Sequence, residues 1–265
     1  MSFRSRSMQE IASLGLPTPA GALEQVTDAD LAPLPEPARR YLRFMGVVGR
    51  ARDWSFRVGF KGRFRVRQGL PWRACEVWQY NSRVVVARAF HMRLRFGLVV
   101  PVVGRDTYLQ GRGRLLIRLM DLVSVVDATG PEVDTGELVT YLNDLVLIAP
   151  SMLLAPDVSW KEVDSASFNL TLTDHGRAVS ARVFVDERGA PVTFETTDRF
   201  CEDPSEPKKW MRARWSTPMQ AFRSVEGRQV PTRGLAVWHL TQGDFAYADF
   251  ELVADGLAYN VRPGK

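Results

Sequence analysis

The chain has 265 residues, and its hydrophobic fraction of 45% and charged fraction of 25% are those of a globular protein, which argues against intrinsic disorder. That length accommodates one large β domain or two small ones. The net charge of +5 comes almost entirely from arginine, and the lack of a five-residue basic run argues against a nucleic-acid partner.

The two cysteines and the N-terminus suggest an intracellular setting. Cys75 and Cys201 are too few for a disulfide framework, and we expect both to be free, buried thiols in strands. The N-terminus is basic but has no continuous apolar segment of the signal-peptide kind. The most hydrophobic run, residues 138–154, is shorter than the ~20 residues of a spanning helix. The sequence therefore predicts a cytoplasmic protein without cofactor or metal.

The N-terminal part of the chain has a different composition from the rest. Residues 1–35 are rich in Pro, Ala, Gly and Asp, and we expect them to wrap the surface with at most one short helix. Residues 36–45 have the pattern of an amphipathic helix, with Pro37 in its first turn and Gly46 just past its end.

From residue 53 the apolar side chains recur with a period of two, which predicts β-strands. Segments 53–66, 71–80 and 84–96 are joined by short turns, so they are expected to form an antiparallel meander. The first strand carries a basic stripe on its polar face, consisting of Arg57, Lys61, Arg63, Arg65 and Arg67.

One helix near residues 135–149 is apolar on nearly every side. Asp134 is a suitable N-cap with Glu137 as its capping-box partner, and Pro150 limits the C-terminal end. A helix of this kind must be enclosed by protein, so the strands are expected to curve around it.

A fourth strand region at 108–126 and seven strand segments between residues 158 and 253 complete the pattern. The predicted fold is therefore mainly β: a single, strongly curved antiparallel sheet of about eleven strands, half-barrel or barrel-like. The apolar helix packs in its concave face, and a short helix lies near the N-terminus. We expect residues 36–265 to form this one domain, after the wrapping segment 1–35.

The sequence motifs of common enzymes are missing. The chain has no Gly-rich phosphate loop, no nucleophile elbow and no two-histidine zinc motif. A Ser-His-Asp set would have to assemble from distant residues, and nothing in the sequence favours one. No catalytic residue is assigned, and a non-enzymatic protein is favoured without excluding catalysis.

Three carboxylates each allow a structural and a functional interpretation. Glu76 shares a strand face with Trp78 and Tyr80, where burial would raise its pKa, but a solvated aromatic face or pairing with an arginine is favoured. Asp144 lies inside the apolar helix and needs a partner, for which an arginine or the backbone is favoured over a role in lining a pocket. Asp198 is expected to point inward and to pair with an arginine of a neighbouring strand.

Between residues 34 and 260 the chain carries a series of short motifs: Leu34-Pro35, Asp106-Thr107-Tyr108, Gly136-Glu137, Tyr141-Leu142-Asn143-Asp144, Pro150, Trp160, Asp186 with Gly189, Asp198-Arg199, Trp210, Pro231, Trp238 and Tyr247. Through these motifs it resembles a bacterial family of unknown function, in which Glu usually stands where this chain has Asp144. The resemblance implies no activity and no catalytic residues. The architecture is also similar to the half-barrels of bacterial lipoprotein carriers, a resemblance that implies an apolar groove.

Three hypotheses for function remain open. The favoured one is a non-enzymatic binder of a lipid or other apolar small molecule. The first alternative is a structural or membrane-surface module whose basic stripe contacts an anionic membrane. The second is an enzyme on a hydrophobic substrate, with Asp144 or Glu76 as acid or base. The residues predicted to line the binding site are Tyr141, Asn143, Asp144, Trp160 and Trp238.

Overall fold

The computed structural model describes residues 1–96, 100–203, 206 and 209–265. The helices in these ranges are α1 (Phe3–Ser13), α2 (Asp28–Leu31), α3 (Glu36–Phe44) and α4 (Pro131–Ile148), the last followed by a 3₁₀ helix at Pro150–Leu153. None of the described helices is both long and apolar enough to cross a bilayer.

The described strands form one antiparallel sheet that is not closed into a barrel. The first group is β1 (Ser55–Phe64), β2 (Arg73–Ser82), β3 (Ala87–Phe96), β4 (Val100–Leu109), β5 (Arg112–Leu119) and β6 (Val123–Ala128). The second group is β7 (Val158–Asp164), β8 (Ser167–Asp174), β9 (Arg177–Val185), β10 (Pro191–Glu202), β11 (Trp210–Val225), β12 (Arg228–Leu240), β13 (Gly243–Leu252) and β14 (Ala258–Tyr259).

In the described part of the chain the sheet contains 14 strands, so the prediction of about eleven is wrong. The predicted strand region 108–126 is divided among β4, β5 and β6. Met120 and Asp121, between β5 and β6, both have positive φ, at 52° and 58°. Asn and Gly normally occupy such positions, so this turn carried no recognisable signal. The two-residue strand β14 is too short to produce a pattern.

Two meanders lie side by side in the sheet. Strands β1 to β6 are hydrogen-bonded in sequence order, as are β7 to β13, and β1 pairs with β13 to join the two groups. At this seam Phe60 lies opposite Leu252. Strands β6 and β7 are the two ends of the hydrogen-bonded path.

The N-terminal segment contains two helices, α1 and α2, where at most one was predicted. Ser2 caps α1 by accepting a hydrogen bond from the Ser5 amide, which satisfies one of the free N–H groups of the first turn. Helix α1 buries Phe3 and Ile11 against the face of the sheet that carries Trp78.

Helix α4 is buried over most of its length and is the centre of the main hydrophobic core. It begins at Pro131, so the predicted N-cap role of Asp134, with Glu137 as its capping partner, is wrong. Asp134 instead accepts a hydrogen bond from the Gly113 amide at 2.7 Å and pairs with Arg177 at 3.0 Å. These contacts tie the first turns of α4 to β5 and β9.

Candidate functional site

A cavity of about 860 Å³ lies between α4 and the sheet. Its volume is near the upper end of the ~300–1,000 Å³ that small-molecule sites occupy. Most of its lining side chains are apolar, and strands of both meanders supply them. Prominent among them are Phe60, Phe90, Trp215, Trp238, Phe245 and Phe250. A space of this size and lining can accommodate an apolar small molecule.

Helix α4 turns a narrow polar stripe toward this cavity. Glu137, Thr140, Asp144 and Leu147 follow at spacings of three and four residues, which places them on one helix face. Asn143 lines the cavity beside them. The stripe is the polar exception on a helix that is otherwise packed against apolar core.

The stripe is held by Arg88 of β3, whose side chain is 4% exposed. Its Nη1 donates to Glu137 Oε2 and its Nε to Asp144 Oδ2, each at 2.8 Å. Gln79 and Asn81 of β2 also donate to Asp144 Oδ2, at 2.6 and 3.2 Å. We call these five residues the Arg88 network. The expectation that Asp144 has an arginine partner is confirmed, and the same residue also lines the cavity.

The Arg88 network has more carboxyl groups than basic groups. Burial raises the pKa of Glu137 to about 7, although Arg88 pulls it down, and Asp106 raises it further. Asp106 of β4 also lines the cavity, and burial raises its pKa against the opposing pull of Arg88 and Arg199. A proton on one of these carboxyl groups near neutral pH therefore relieves the excess negative charge.

A second arginine, Arg199 of β10, lines the cavity without a carboxylate partner among the described residues. Its guanidinium carbon lies 4.1 Å from the ring centroid of Trp215 and 5.4 Å from that of Trp238. Its Nη1 donates to the hydroxyl of Tyr247 at 3.1 Å. Trp215 Nε1 donates to the same hydroxyl at 3.1 Å, so the aromatic wall fixes the position of the cation.

Asn143 offers a further donor. Thr217 of β11 donates to Asn143 Oδ1 at 2.6 Å, and the Asn143 amide nitrogen has no acceptor among the described residues. Asn143 is 4% exposed and lines the cavity, so its amide nitrogen is a buried donor at the cavity wall.

The structure separates the five predicted site residues into two sets. Asn143, Asp144 and Trp238 line the cavity. Tyr141 lies in the fully buried core and donates to the Ser82 carbonyl at 2.8 Å. Trp160 packs against Phe168, with ring centroids 5.5 Å apart.

Sequence reasoning did not single out Arg88, Asp106 or Arg199 as site residues. A signal for Arg88 existed, because strand alternation places it on the apolar face with Phe90 and Met92. For Arg199 the alternation was misleading. A β-bulge between Thr196 and Arg199 shifts the register, so Arg199 rather than Asp198 lines the cavity.

The other predicted carboxylate contacts are structural. Arg93 pairs with Glu76 at 2.5 Å, as favoured, and Trp78 Nε1 donates to the same carboxylate at 2.9 Å. Asp198 lies 3.6 Å from Arg212 of β11, which confirms its pairing with a neighbouring strand.

Both cysteines are free, as predicted. Cys75 is buried, but Cys201 is only half-buried and lines the cavity. Within the described ranges, no group of three His, Cys, Asp or Glu side chains is arranged to hold a metal ion.

A Ser-His-Asp set does assemble between β11, β12 and β13. Ser216 Oγ lies 2.8 Å from His239 Nε2, and His239 Nδ1 lies 2.7 Å from Asp244 Oδ1. The burial is the reverse of a hydrolase triad, because Ser216 is 2% exposed while the Asp244 side chain is 67% exposed. Ser216 also lies on the opposite face of β11 from Trp215 and Thr217, away from the cavity. The set has the geometry of a triad without space for a substrate at its nucleophile.

Comparison with known proteins identifies a family but no function. A family model described as a family of unknown function, DUF6544, matches residues 24–250, which confirms the predicted resemblance. No curated protein matches the chain.

Three solved structures are similar at low identity. A LolA superfamily protein from Nitrosomonas europaea has 13% identity and a TM-score of 0.39, covering 86% of this chain and 93% of its own. A putative outer membrane lipoprotein-sorting protein domain from Vibrio parahaemolyticus has 7% identity and a TM-score of 0.38, with 78% and 85% covered. A DUF1329 family protein from Desulfovibrio piger has 9% identity and a TM-score of 0.45, with 90% and 95% covered. At these TM-scores the likenesses carry no functional argument.

Proposed function

Since the chain belongs to the DUF6544 family of unknown function, we propose from its own geometry that it is a non-enzymatic binder of a lipid or other apolar small molecule. The observation that carries this proposal is the cavity of about 860 Å³ between α4 and the sheet. Protein interiors are packed as densely as organic crystals, so a void of this size is not a packing defect. An apolar occupant would remove its aromatic walls from water.

The proposal includes a strongly curved, half-barrel sheet with α4 on its concave side. It is supported by the contacts of α4 with both β5 and β9, which are nine positions apart in the strand order. In a flat sheet nine spacings would measure about 43 Å. A helix of 18 residues is only about 27 Å long. Bending of the sheet around the helix accounts for both contacts within one domain.

The proposed roles of the site residues follow from their positions. Asn143, Asp144 and Trp238 line the cavity and would contact the ligand directly. Tyr141 and Trp160 would not contact the ligand but would hold the elements that line the cavity in place. The hydroxyl of Tyr141 ties α4 to the end of β2, and Trp160 packs under the core beside Phe168.

The two alternatives have less support. In the basic stripe, Arg63 pairs with Asp249 at 2.9 Å and Lys61 with Glu251 at 3.6 Å, so acidic neighbours offset part of its charge. For an acid or base catalyst, a free carboxylate near the substrate is needed. Asp144 is instead held by three donors.

The first test is to identify what the protein carries when purified. Native mass spectrometry of the fresh protein, followed by solvent extraction, is expected to reveal a stoichiometric apolar molecule. A second test uses the uncharged fluorescent probe N-phenyl-1-naphthylamine, whose emission rises in apolar surroundings.

The probe test has a matched pair of variants. Ala236→Trp places a large ring in the cavity wall and is expected to abolish saturable probe binding. Ala74→Trp adds the same ring at an exposed position of β2 and is expected to bind like the wild type. Absence of saturable binding to the wild type, or equal binding by the two variants, contradicts the proposal.

A further inference from the structure

Arg199 differs from the other arginines of the cavity wall. Four of the five arginines that line the cavity in the described part of the chain contact a carboxylate or a backbone carbonyl. These are Arg65 with the Ala246 carbonyl, Arg67 with Glu202, Arg88 with its network, and Arg233 with Asp249. Arg199 has only the hydroxyl of Tyr247 as a polar partner. Its remaining N–H groups therefore have no acceptor in the described residues.

The surroundings of Arg199 hold its guanidinium in a defined orientation. The guanidinium carbon lies over the ring of Trp215, 4.1 Å from its centroid, and 5.4 Å from the centroid of the Trp238 ring. Stacking of this kind occupies the face of the cation and leaves the N–H edge for hydrogen bonds. The fork of N–H groups on that edge matches the two oxygens of a carboxylate.

The charge of Arg199 is also poorly compensated for its location. Asp106 and Glu137 lie close enough to feel its charge, but neither is within the 4.0 Å of an ion pair. A cation against apolar walls interacts strongly with an anion that reaches it, because the local dielectric is low. An anionic group on a ligand would supply the missing partner.

The apolar part of such a ligand has a path away from Arg199. Phe60 and Phe90 each stack on Phe250, with ring centroids 6.0 and 6.4 Å apart. Met92 and Leu94 pack with the same cluster. All of these residues line the cavity, so a hydrocarbon chain can follow a wall of aromatic and aliphatic side chains.

We propose that the cavity binds a long-chain monocarboxylic acid, with Arg199 donating to the carboxylate and the hydrocarbon chain lying along the Phe60, Phe90 and Phe250 wall. The proposal rests on the binder function above and specifies the chemical class of its ligand. The unpaired amide of Asn143 provides a second donor on the cavity wall.

The carboxyl groups of the cavity predict how binding depends on pH. Glu137 faces Arg88 of β3, Asp106 of β4, Asp144 of its own helix and Arg199 of β10. Burial raises the pKa of Glu137 to about 7, so below that pH the proton on Glu137 removes a competing negative charge. A carboxylate ligand is therefore expected to bind more tightly at pH 6 than at pH 8.

The test compares two ligands that differ only at the head. Palmitate and hexadecanol compete with N-phenyl-1-naphthylamine for the wild type, for Arg199→Gln and for the control Arg214→Gln, whose arginine is exposed on β11. Palmitate is expected to bind the wild type ~10-fold more tightly than hexadecanol, as for a charge-assisted hydrogen bond. Arg199→Gln is expected to remove this preference and to leave hexadecanol binding unchanged. Arg214→Gln should keep the preference.

The outcomes separate the two proposals. Equal affinities of palmitate and hexadecanol for the wild type overturn the carboxylate anchor alone, and this comparison needs no variant to fold. Equal losses for both ligands in Arg199→Gln also overturn it. If hexadecyl phosphate binds more tightly than palmitate, the carboxylate proposal is overturned and a phosphate is the preferred head group. Failure of every ligand and of the probe to bind overturns the binder function itself.

Discussion

Two buried charge networks hold α4 and the segment after it, and they differ in whether their charges balance. In the first, Asp53 bonds Arg228 at 2.6 Å and accepts a hydrogen bond from Ser151 at 2.7 Å. We call these residues, with Asn260, the Asp53 network. It has one carboxylate and one guanidinium, and none of its members lines the cavity. In the Arg88 network one guanidinium faces two bonded carboxylates, and Asp106 lies nearby.

The difference separates an ion pair in the packed interior from one at the edge of the cavity. A guanidinium cannot lose its proton in a protein, whereas a carboxylate can gain one. The Asp53 network pairs one carboxylate with one guanidinium, whereas the Arg88 network has a second carboxylate, Glu137, whose pKa burial raises to about 7. In the proposed binder function, this adjustable charge would let the cavity wall respond to the charge of a bound ligand.

The largest expected effect comes from breaking the balanced network. Asp53→Ala leaves Arg228, whose side chain is 11% exposed, without its buried carboxylate. Loss of one partner of a buried pair destabilises a protein by about 3–5 kcal/mol. Urea unfolding is expected to show such a loss. A loss of less than about 1 kcal/mol contradicts the idea that this ion pair stabilises the fold.

Arg88→Met is expected to cost less, because the carboxylates it leaves behind can take up protons. A buried group left without its partner typically costs about 1–3 kcal/mol. We expect that loss in urea unfolding at pH 8 and a smaller one at pH 5. The control Arg114→Met removes an exposed arginine of β5 and should change little. An equal loss at both pH values for Arg88→Met contradicts the comparison.

Glu137→Gln tests the adjustable charge directly. Burial raises the pKa of Glu137 from 4.5 to about 7, so between these values the folded chain keeps a proton that the unfolded chain has released. Its stabilising contribution is full below pH 4.5 and is lost as the pH rises through 7. The contribution of Glu137 to the slope in the free energy of unfolding is at most about 1.4 kcal/mol per pH unit, and the slope should be smaller by that amount in the variant. If the free energy of unfolding depends on pH in the same way for the wild type and for Glu137→Gln, the stabilising proton is not on Glu137. Glu24→Gln, at an exposed position, is the control and should keep the pH dependence of the wild type.

The smallest expected effect comes from a neutral member of the Asp53 network. Ser151→Ala removes the hydroxyl that donates to Asp53 and accepts from the Asp53 amide. A loss of about 1 kcal/mol is expected from chemical denaturation. Ser180→Ala, at an exposed strand position, is the matched control. A loss as large as that of Asp53→Ala would show that the ion pair is not the stabilising part of this network.

Strong local patterns allowed much of the fold to be predicted from the sequence. The alternation from residue 53 predicted β1, and the enclosed helix near 135–149 corresponds to α4. Features of the fold that leave no local pattern in the sequence were not predicted. The turn at Met120 and Asp121 has neither Asn nor Gly, and the start of α4 is set by Gly130 and Pro131 rather than by a polar cap.

From the sequence, a residue of the candidate site could be predicted only where its own local setting required a partner. A carboxylate in an apolar helix requires compensation, which identified Asp144. The partner itself, Arg88, lies 56 residues earlier in the chain, and no local rule connects the two. Arg199 was missed because the bulge before it inverts the alternation from which its orientation was inferred.

The seam between the two meanders has a consequence for how the chain folds. Within each meander, neighbouring strands are close in sequence, so their hairpins form after short loop closures. The pairing of Phe60 with Leu252 instead joins residues 192 positions apart. Because such distant pairings slow folding, we expect each meander to form its own strand pairs first and the β1–β13 pairing to form last. Asp249 of β13 bonds both Arg63 of β1 and Arg233 of β12. Its bond to Arg63 crosses the seam and would therefore form only late in folding.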